Sequence, residues 1–284
     1  MKNRSATFYF LMVPVFLWLV MLIVIPHLDM FFRSFRYEND NGLMVFSLNN
    51  YLSFFEDKIY WLTFVKTALY SIGVTFLAFV VTFPVAFYLT KVVAKKYSSF
   101  MVLLLLIPIW IGELVTIYGW MILLSDNGVI NNFLIQIGLI DSPIVMLYTN
   151  FSMTIGLLYM SMLFMIIPMM SALESLDDSL IEAASDLGAT KWTIFRQIVI
   201  PYTTPGIASG GIIVFMLVIG DYVAPNILGG KSSLWFTEQI YNKFLATFNW
   251  NEGAAFGFLL LLLSSAIIWV ALRLTGQKLE KVGS

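Results

Sequence analysis

The chain has 284 residues, of which 60% are apolar and only 12% charged, and its mean hydropathy is +0.86. A water-soluble protein of this length could not bury so much apolar surface, so the composition indicates an integral membrane protein. The net charge of −1 argues against nucleic-acid binding, the absence of cysteine excludes disulfides, and a single histidine, His27, gives no basis for a histidine-based metal site.

Six apolar stretches are long enough to cross a bilayer, since a helix rising about 1.5 Å per residue needs about 20 apolar residues to span the hydrocarbon core. They are residues 8–28, 67–89, 100–124, 151–173, 203–220 and 254–272. All six are predicted to be helical, because unpaired backbone polar groups cannot face lipid. No internal repeat or linker divides the chain, so a single transmembrane domain covering residues 1–284 is predicted.

The first apolar stretch follows Lys2 and Arg4 and superficially resembles a signal peptide. It is longer than a typical signal core, and Pro26 and His27 follow it instead of a small-residue cleavage site. An uncleaved first span is therefore predicted.

The placement of lysine and arginine predicts that both termini are cytoplasmic, because these residues are enriched in cytoplasmic loops. Of the 16 basic residues, this orientation puts ten inside: Lys2, Arg4, Lys91, Lys95, Lys96, Lys191, Arg196, Arg273, Lys278 and Lys281. The other six are outside: Arg33, Arg36, Lys58, Lys66, Lys231 and Lys243. Three outer loops result, at residues 30–60, 126–150 and 225–252, and each has room for a short helix lying at the membrane surface.

The cytoplasmic connection at residues 174–201 has a helical pattern of its own. Ser179 is a candidate N-cap of a first short helix, with apolar residues at helical spacing behind it. Gly188 permits the backbone to turn. A second apolar stripe, beginning at Trp192, is expected to end at Pro201. The pattern predicts two short amphipathic helices at an angle, with apolar faces that need a partner.

The same loop resembles the EAA motif of permease subunits in binding-protein-dependent ABC importers. The matching residues are Glu182, Ala183 and Ala184, then Gly188, then Ile198, Val199, Ile200 and Pro201, where Ile200 replaces the usual leucine. The resemblance implies a coupling helix that docks into a cleft on an ATPase, with Glu182 facing a basic group and Gly188 forming the turn. The alternative is an amphipathic hairpin that lies on lipid.

Further segments resemble the spermidine/putrescine type of these permeases, and the similarity covers nearly the whole chain. The segments are residues 106–110, 117–120 and 220–230, the last of which is similar to the first of the two permease subunits in such systems. The resemblance implies the type I, MetI-like permease fold. Within the fifth span, Gly206 and Gly210 have the G-x-x-x-G spacing that permits close helix contact.

Acidic and aromatic residues in the spans are candidates for the solute pathway, because an ionisable group in the bilayer costs about 3 kcal/mol and usually faces a pore or a partner. Carboxylates with aromatic faces nearby suit an ammonium-bearing solute. The candidates are Trp110, Glu113, Tyr118 and Trp120 in the third span, and Asp221 and Tyr222 at the outer end of the fifth. Two alternatives stay open: Glu113 pairs with a basic group on a neighbouring helix, and the aromatic residues serve packing or the membrane interface.

Together these features predict a polyamine permease subunit that works by alternating access in the cytoplasmic membrane. The expected partners are a second permease, distinct from this one, two ATPase subunits, a soluble binding protein and membrane lipid. ATP and Mg²⁺ are expected on the ATPases, and neither a cofactor nor a catalytic site is expected in this chain. The alternatives are another small cargo, such as ferric iron or thiamine, and an ion-coupled secondary transporter.

Overall fold

The computed structural model describes residues 2–39, 41–230 and 233–276, with side chains described from residue 11 onward. Lys231, Lys278 and Lys281, which contribute to the predicted orientation, lie outside the described residues. The helices are α1 Lys2–Leu19, α2 Ile25–Ser34, α3 Asn49–Glu56, α4 Lys58–Phe87, α5 Lys95–Leu106, α6 Glu113–Leu124, α7 Val129–Gln136, α8 Asn150–Glu174, α9 Asp178–Asp186, α10 Lys191–Ile194, α11 Ile200–Gly220, α12 Phe236–Leu245 and α13 Trp250–Thr275. Two short strands, β1 Arg36–Glu38 and β2 Met44–Phe46, pair antiparallel.

π-Helical turns at Val20–Val24 and Phe195–Val199 join α1 to α2 and α10 to α11, whereas the π-turn Tyr88–Val92 ends the helix begun by α4 and a fourth π-turn, Pro225–Gly229, lies between α11 and α12. Five resulting helices of the described residues are long and apolar enough to cross a membrane: Leu11–Ser34, Lys58–Val92, Asn150–Glu174, Lys191–Gly220 and Trp250–Thr275. A bent pair of helices accounts for the sixth span. The predicted helical membrane fold is confirmed, with the short β1–β2 pair as an addition that the sequence analysis did not predict.

The third predicted span, residues 100–124, is not one straight helix. Lys95–Trp110 and Glu113–Gln136 meet at an angle of 94°. The chain tightens into a 3₁₀ turn at Ile107–Trp110, and Ile111 and Gly112 are then extended, with ψ of 120° and 146°. Pro108 lies in that 3₁₀ turn and has no backbone N–H to donate, which disfavours a continuous α-helix at this point. The break places the N-terminus of α6 within the predicted span.

The chain divides into two compact units, and the first consists of residues 1–63 and 239–262. Its core includes Phe54 and Phe256, whose rings meet edge to face at 5.8 Å. Beside them Lys243 and Glu252 form an ion pair of 2.7 Å with little exposure on either side. This ion pair joins α12 to the start of α13.

The second unit consists of residues 64–238 and 263–284 and contains all the candidate site residues. Its centre is the contact of α8 with α11, where Gly206 and Gly210 face Met165 and Pro168. A Cβ added at Gly206 would lie 2.5 Å from the Pro168 carbonyl oxygen, and one at Gly210 would lie 2.8 Å from the Met165 sulfur. The close helix contact predicted from the G-x-x-x-G spacing is therefore confirmed.

The segment between α11 and α12 packs into the second unit, although the sequence placed it in an outer loop. Leu228, Trp235 and Phe236 are fully buried. The Ser152 hydroxyl donates to the Leu228 carbonyl at 2.9 Å, and the Phe236 N–H donates to the Thr67 hydroxyl at 2.9 Å. These bonds hold the middle and the end of the segment against α8 and α4.

Candidate functional site

The first helix of the cytoplasmic loop, α9, begins two residues earlier than the sequence indicated. Its N-cap is Asp177, whose carboxylate accepts the Ser179 N–H at 2.9 Å, so the predicted Ser179 cap is wrong. Hydrogen bonding to the Ser179 N–H and side chain, and then the positive charge of Lys91, hold the pKa of Asp177 below its ordinary value. A carboxylate is also favoured at a helix N-terminus by the helix dipole, which explains why the aspartate outcompetes the serine.

The turn after α9 is a Schellman motif centred on Gly188. The Gly188 N–H donates to the Ser185 carbonyl at 2.9 Å, and the Ala189 N–H donates to the Ala184 carbonyl at 3.0 Å. Gly188 has a φ of +84°, the left-handed conformation that this motif requires. The predicted turn at Gly188 therefore has the geometry that a glycine serves best.

The second helix of the loop is continuous with the fifth span, contrary to the expectation that it ends at Pro201. Thr190 caps α10 by accepting the Thr193 N–H at 3.2 Å, and the chain then passes through the Phe195–Val199 π-turn into α11. Pro201 lies directly after the π-turn, where its missing N–H interrupts the helix hydrogen bonding without ending the helix. Ile198 is half-buried and packs on the core of the second unit. The predicted pair of short helices is thus one short helix, α9, followed by the N-terminal part of the helix that forms the fifth span.

The loop exposes part of its apolar surface. Ile181 packs inward and Ala184 is half-buried, whereas Glu182 and Ala183 are exposed on α9. On either side of Gly188, Leu187 is 88% exposed and Trp192 is 67% exposed. Large apolar side chains beside an acidic group form a surface that suits docking of a protein partner.

Two residues that the sequence analysis did not connect with this loop hold its beginning in place. The Lys91 ammonium donates to the Leu176 carbonyl and to the Asp178 carboxylate, each at 2.6 Å. The Tyr202 hydroxyl donates to the Ser175 carbonyl at 2.8 Å. No sequence signal pairs Lys91 with a residue 87 positions away, because only the fold brings them together.

The candidate pathway residues of the third span lie around the helix break. Trp110 ends the 3₁₀ turn and is 90% exposed, and Glu113 is the exposed first residue of α6. Acidic side chains are favoured in the first helical turn. Glu113 makes no ion pair among the described residues, so the structure gives no support for the alternative that it pairs with a neighbouring basic group.

Asp221 follows the last residue of α11, outside the spanning segment, and is half-buried. Its Oδ1 atom accepts the N–H groups of Val223 at 2.7 Å and Ala224 at 3.2 Å, which caps the turn that follows. Burial, and then the nearby Glu113 carboxylate, raise the pKa of Asp221 to about 6, against the opposing effect of the two N–H donors. The fold therefore brings the two predicted acidic residues close enough for their charges to interact.

The aromatic candidates do not share one environment. Trp120 is half-buried and meets Tyr159 edge to face at 5.4 Å, which is a packing contact between α6 and α8. Tyr118 is exposed on another face of α6, and Tyr222 is half-buried beside Asp221. For Trp120 the structure thus favours the packing role that the sequence left open.

The chain is similar to transport permeases in sequence and in fold. The family model for "Binding-protein-dependent transport system inner membrane component" matches residues 4–281. The spermidine/putrescine transport system permease protein PotB of Salmonella typhimurium is 34% identical over 287 residues, which covers 99% of each chain. PotB of Escherichia coli is 34% identical over 268 residues, covering 93% of this chain and 97% of its own. A crystal structure of a bacterial alginate ABC transporter, in complex with an alginate-bound periplasmic protein, has a chain that superposes with a TM-score of 0.78 at 20% identity, covering 98% of both chains.

Proposed function

Because this chain belongs to the family of inner membrane components of binding-protein-dependent transport systems, we propose that it carries polyamines across the inner membrane in an ATP-driven importer. Its multi-pass permease fold follows from the family and from the helices described above. The polyamine cargo is supported by the near full-length similarity to the spermidine/putrescine permeases.

The exposed surface of α9 carries the proposal that ATP hydrolysis in a partner drives transport. Glu182 on α9 presents an acidic group, and Leu187 and Trp192, on either side of the Gly188 turn that follows α9, present two exposed apolar side chains. Docking of two ATPase subunits, one on this loop and one on the second permease, buries this surface. ATP and Mg²⁺ then bind on the ATPases, and closure of their dimer moves the spans between the two access states of the pathway.

The cargo is further supported by the neighbouring carboxylates of Glu113 and Asp221. Glu113 lies at a helix break, where Trp110 is also exposed, and Asp221 lies at the end of a span. Two acidic groups, one at the start of α6 and one directly after α11, match a solute with more than one ammonium group, and an aromatic face adds a cation–π contact. A soluble binding protein delivers this solute to the outer side.

Reconstitution in proteoliposomes tests the proposal. Liposomes that contain this chain, the second permease and the ATPase, with the binding protein outside, are expected to take up radiolabelled spermidine only when ATP is inside. Unlabelled putrescine should compete, whereas thiamine and ferric iron should not. Uptake by this chain alone along an ion gradient would show a secondary transporter instead.

A charge reversal tests the role of α9 in the same system. Glu182→Lys is expected to abolish co-purification of the ATPase while membrane insertion is retained. Glu174→Lys, at the exposed end of α8, reverses the same charge outside α9 and serves as the matched control. ATPase binding by the Glu182 variant at the level of the control would contradict the proposed docking surface.

A further inference from the structure

The junction between α8 and the coupling helix α9 is held by side chains from two other spans. Lys91, in the π-turn that ends the second span, donates to the Leu176 carbonyl and the Asp178 carboxylate. Tyr202, in the first turn of α11, donates to the neighbouring Ser175 carbonyl. The consecutive carbonyls of Ser175 and Leu176 are thus bound by one residue that precedes the loop in the sequence and one that lies at its C-terminal end. We refer to Lys91, Tyr202 and Asp178, with these carbonyls, as the junction clamp.

The burial pattern shows that the clamp is anchored in the spans and reaches out to α9. The Lys91 side chain is 8% exposed, whereas its partner Asp178 is 70% exposed. Leu176, whose carbonyl Lys91 also binds, is buried. An ammonium removed from water must keep its hydrogen-bond acceptors, because leaving it unpaired is costly. The position of the first turn of α9 is therefore tied to the second span.

The other end of α9 has no comparable anchor among the described residues. Leu187 and Gly188 are exposed, and no atom lies within 4 Å of a Cβ placed on Gly188. A force applied to α9 therefore reaches the second span through the clamped end, whereas the turn at Gly188 connects the other end of α9 by backbone to the helix that continues as the fifth span.

We propose that Lys91 is a positioning residue that transfers movement of the ATPase-bound helix α9 to the second span, while Tyr202 links the same junction to the fifth. The inference rests on the proposed function, because it requires an ATPase at α9. It goes beyond docking: the clamp sets how much transport each ATP hydrolysis yields, whereas the exposed surface of α9 sets whether the ATPase binds.

The test uses the complete complex in proteoliposomes and measures three quantities: ATPase co-purification, ATP hydrolysis and spermidine taken up per ATP hydrolysed. Lys91→Met is expected to retain ATPase co-purification and ATP hydrolysis. It should lower spermidine uptake per ATP by about tenfold, a size typical of coupling between two sites. Lys91→Arg keeps a cation with several donors and should restore most of the ratio. Lys96→Met removes an exposed lysine at the start of α5, five residues after Lys91, and should leave the ratio unchanged.

Other results would overturn the inference. An unchanged ratio in Lys91→Met, or loss of ATPase binding together with hydrolysis, would show that Lys91 serves only local structure. If Lys91→Met does not insert, Tyr202→Phe decides, because it removes one hydrogen bond alone: a drop of about threefold supports the clamp, and an unchanged ratio refutes it. Failure of the proposed function is recognised separately, since the wild-type complex would then show no ATP-dependent uptake at all.

Discussion

At Gly188 the constraint is the backbone conformation and not the space around the residue. Its φ of +84° lies in the left-handed region, and no atom comes within 4 Å of a Cβ built there. A side chain at this position thus meets no steric barrier but destabilises the turn, by about 1–2 kcal/mol for an ordinary L residue. Asparagine tolerates the conformation better than other residues.

We therefore expect Gly188→Val to weaken binding of the ATPase more than Gly188→Asn does. Since about 1.4 kcal/mol corresponds to a factor of ten, the valine variant should lose about tenfold in affinity. The affinity is measured by titrating purified ATPase onto permease in nanodiscs. An equal loss of ATPase affinity in the two variants would show that the added side chain itself disturbs the contact with the ATPase, and not the conformation of the turn.

Asp221 combines a structural and a chemical role. Its carboxylate accepts two backbone N–H groups, and an asparagine oxygen can accept the same bonds. Asp221→Asn therefore removes the negative charge and keeps both hydrogen bonds. Because burial and Glu113 raise the pKa to about 6, the carboxylate is charged above that pH and neutral below it.

Spermidine uptake by the wild-type complex should accordingly fall as the pH drops through about 6, because Asp221 loses the charge that attracts an ammonium group. Asp221→Asn should show an apparent KM raised by about tenfold near neutral pH, as for an interaction of roughly 1–2 kcal/mol, and no such pH step. Asp126→Asn removes an exposed charge from the loop between α6 and α7 and serves as the control. If spermidine uptake by the Asp221→Asn variant still fell near pH 6, the pH dependence would come from another titratable group.

At the scale of elements, the contact of α8 with α11 organises the second unit. Gly206 lets the backbone of α11 approach Pro168 and Ala172 so closely that a Cβ would lie 2.5 Å from atoms of both. Gly211, on the same helix, is different, because its nearest neighbour would be a Thr75 methyl at 3.9 Å. Substituting each glycine in turn thus distinguishes the effect of close packing, which applies at Gly206, from the effect of helix propensity, which applies at both positions.

Gly206→Ala is expected to lower the free energy of unfolding by about 1–3 kcal/mol through overpacking. Gly211→Ala should be neutral or slightly stabilising, since alanine favours a helix by about 0.5–1 kcal/mol over glycine. Thermal unfolding of the purified permease in detergent measures both. Comparable melting temperatures for the two variants would contradict the close α8–α11 contact.

At the scale of the whole molecule, the predicted orientation puts the coupling loop in the cytoplasm and the 126–150 loop outside. The absence of cysteine makes this directly measurable, because a single introduced cysteine is the only thiol. Ser185→Cys on α9 and Asn127→Cys before α7 both place the thiol at an exposed position.

A membrane-impermeant maleimide added to intact cells should label Asn127→Cys and not Ser185→Cys. After lysis both should react, which controls for the reactivity of each thiol. Labelling of Ser185→Cys in intact cells would reverse the topology and remove the docking surface from the ATPase.

Local sequence patterns predicted much of this protein. Apolar runs of about 20 residues indicate spanning helices whatever they contact, because lipid forces the backbone to pair within the helix. Gly188 and the G-x-x-x-G pair were likewise recognisable, since the first depends on one residue's backbone and the second on helical spacing.

Contacts between distant segments required the tertiary structure. The 94° break of the third span, the buried segment after Asp221 and the junction of Lys91 with Asp178 all depend on which helices become neighbours. A lysine counted as a cytoplasmic charge is in fact a buried anchor, because its environment is set by residues 85 and 87 positions away. Charge and periodicity are properties of a segment, whereas burial and pairing are properties of the packed chain.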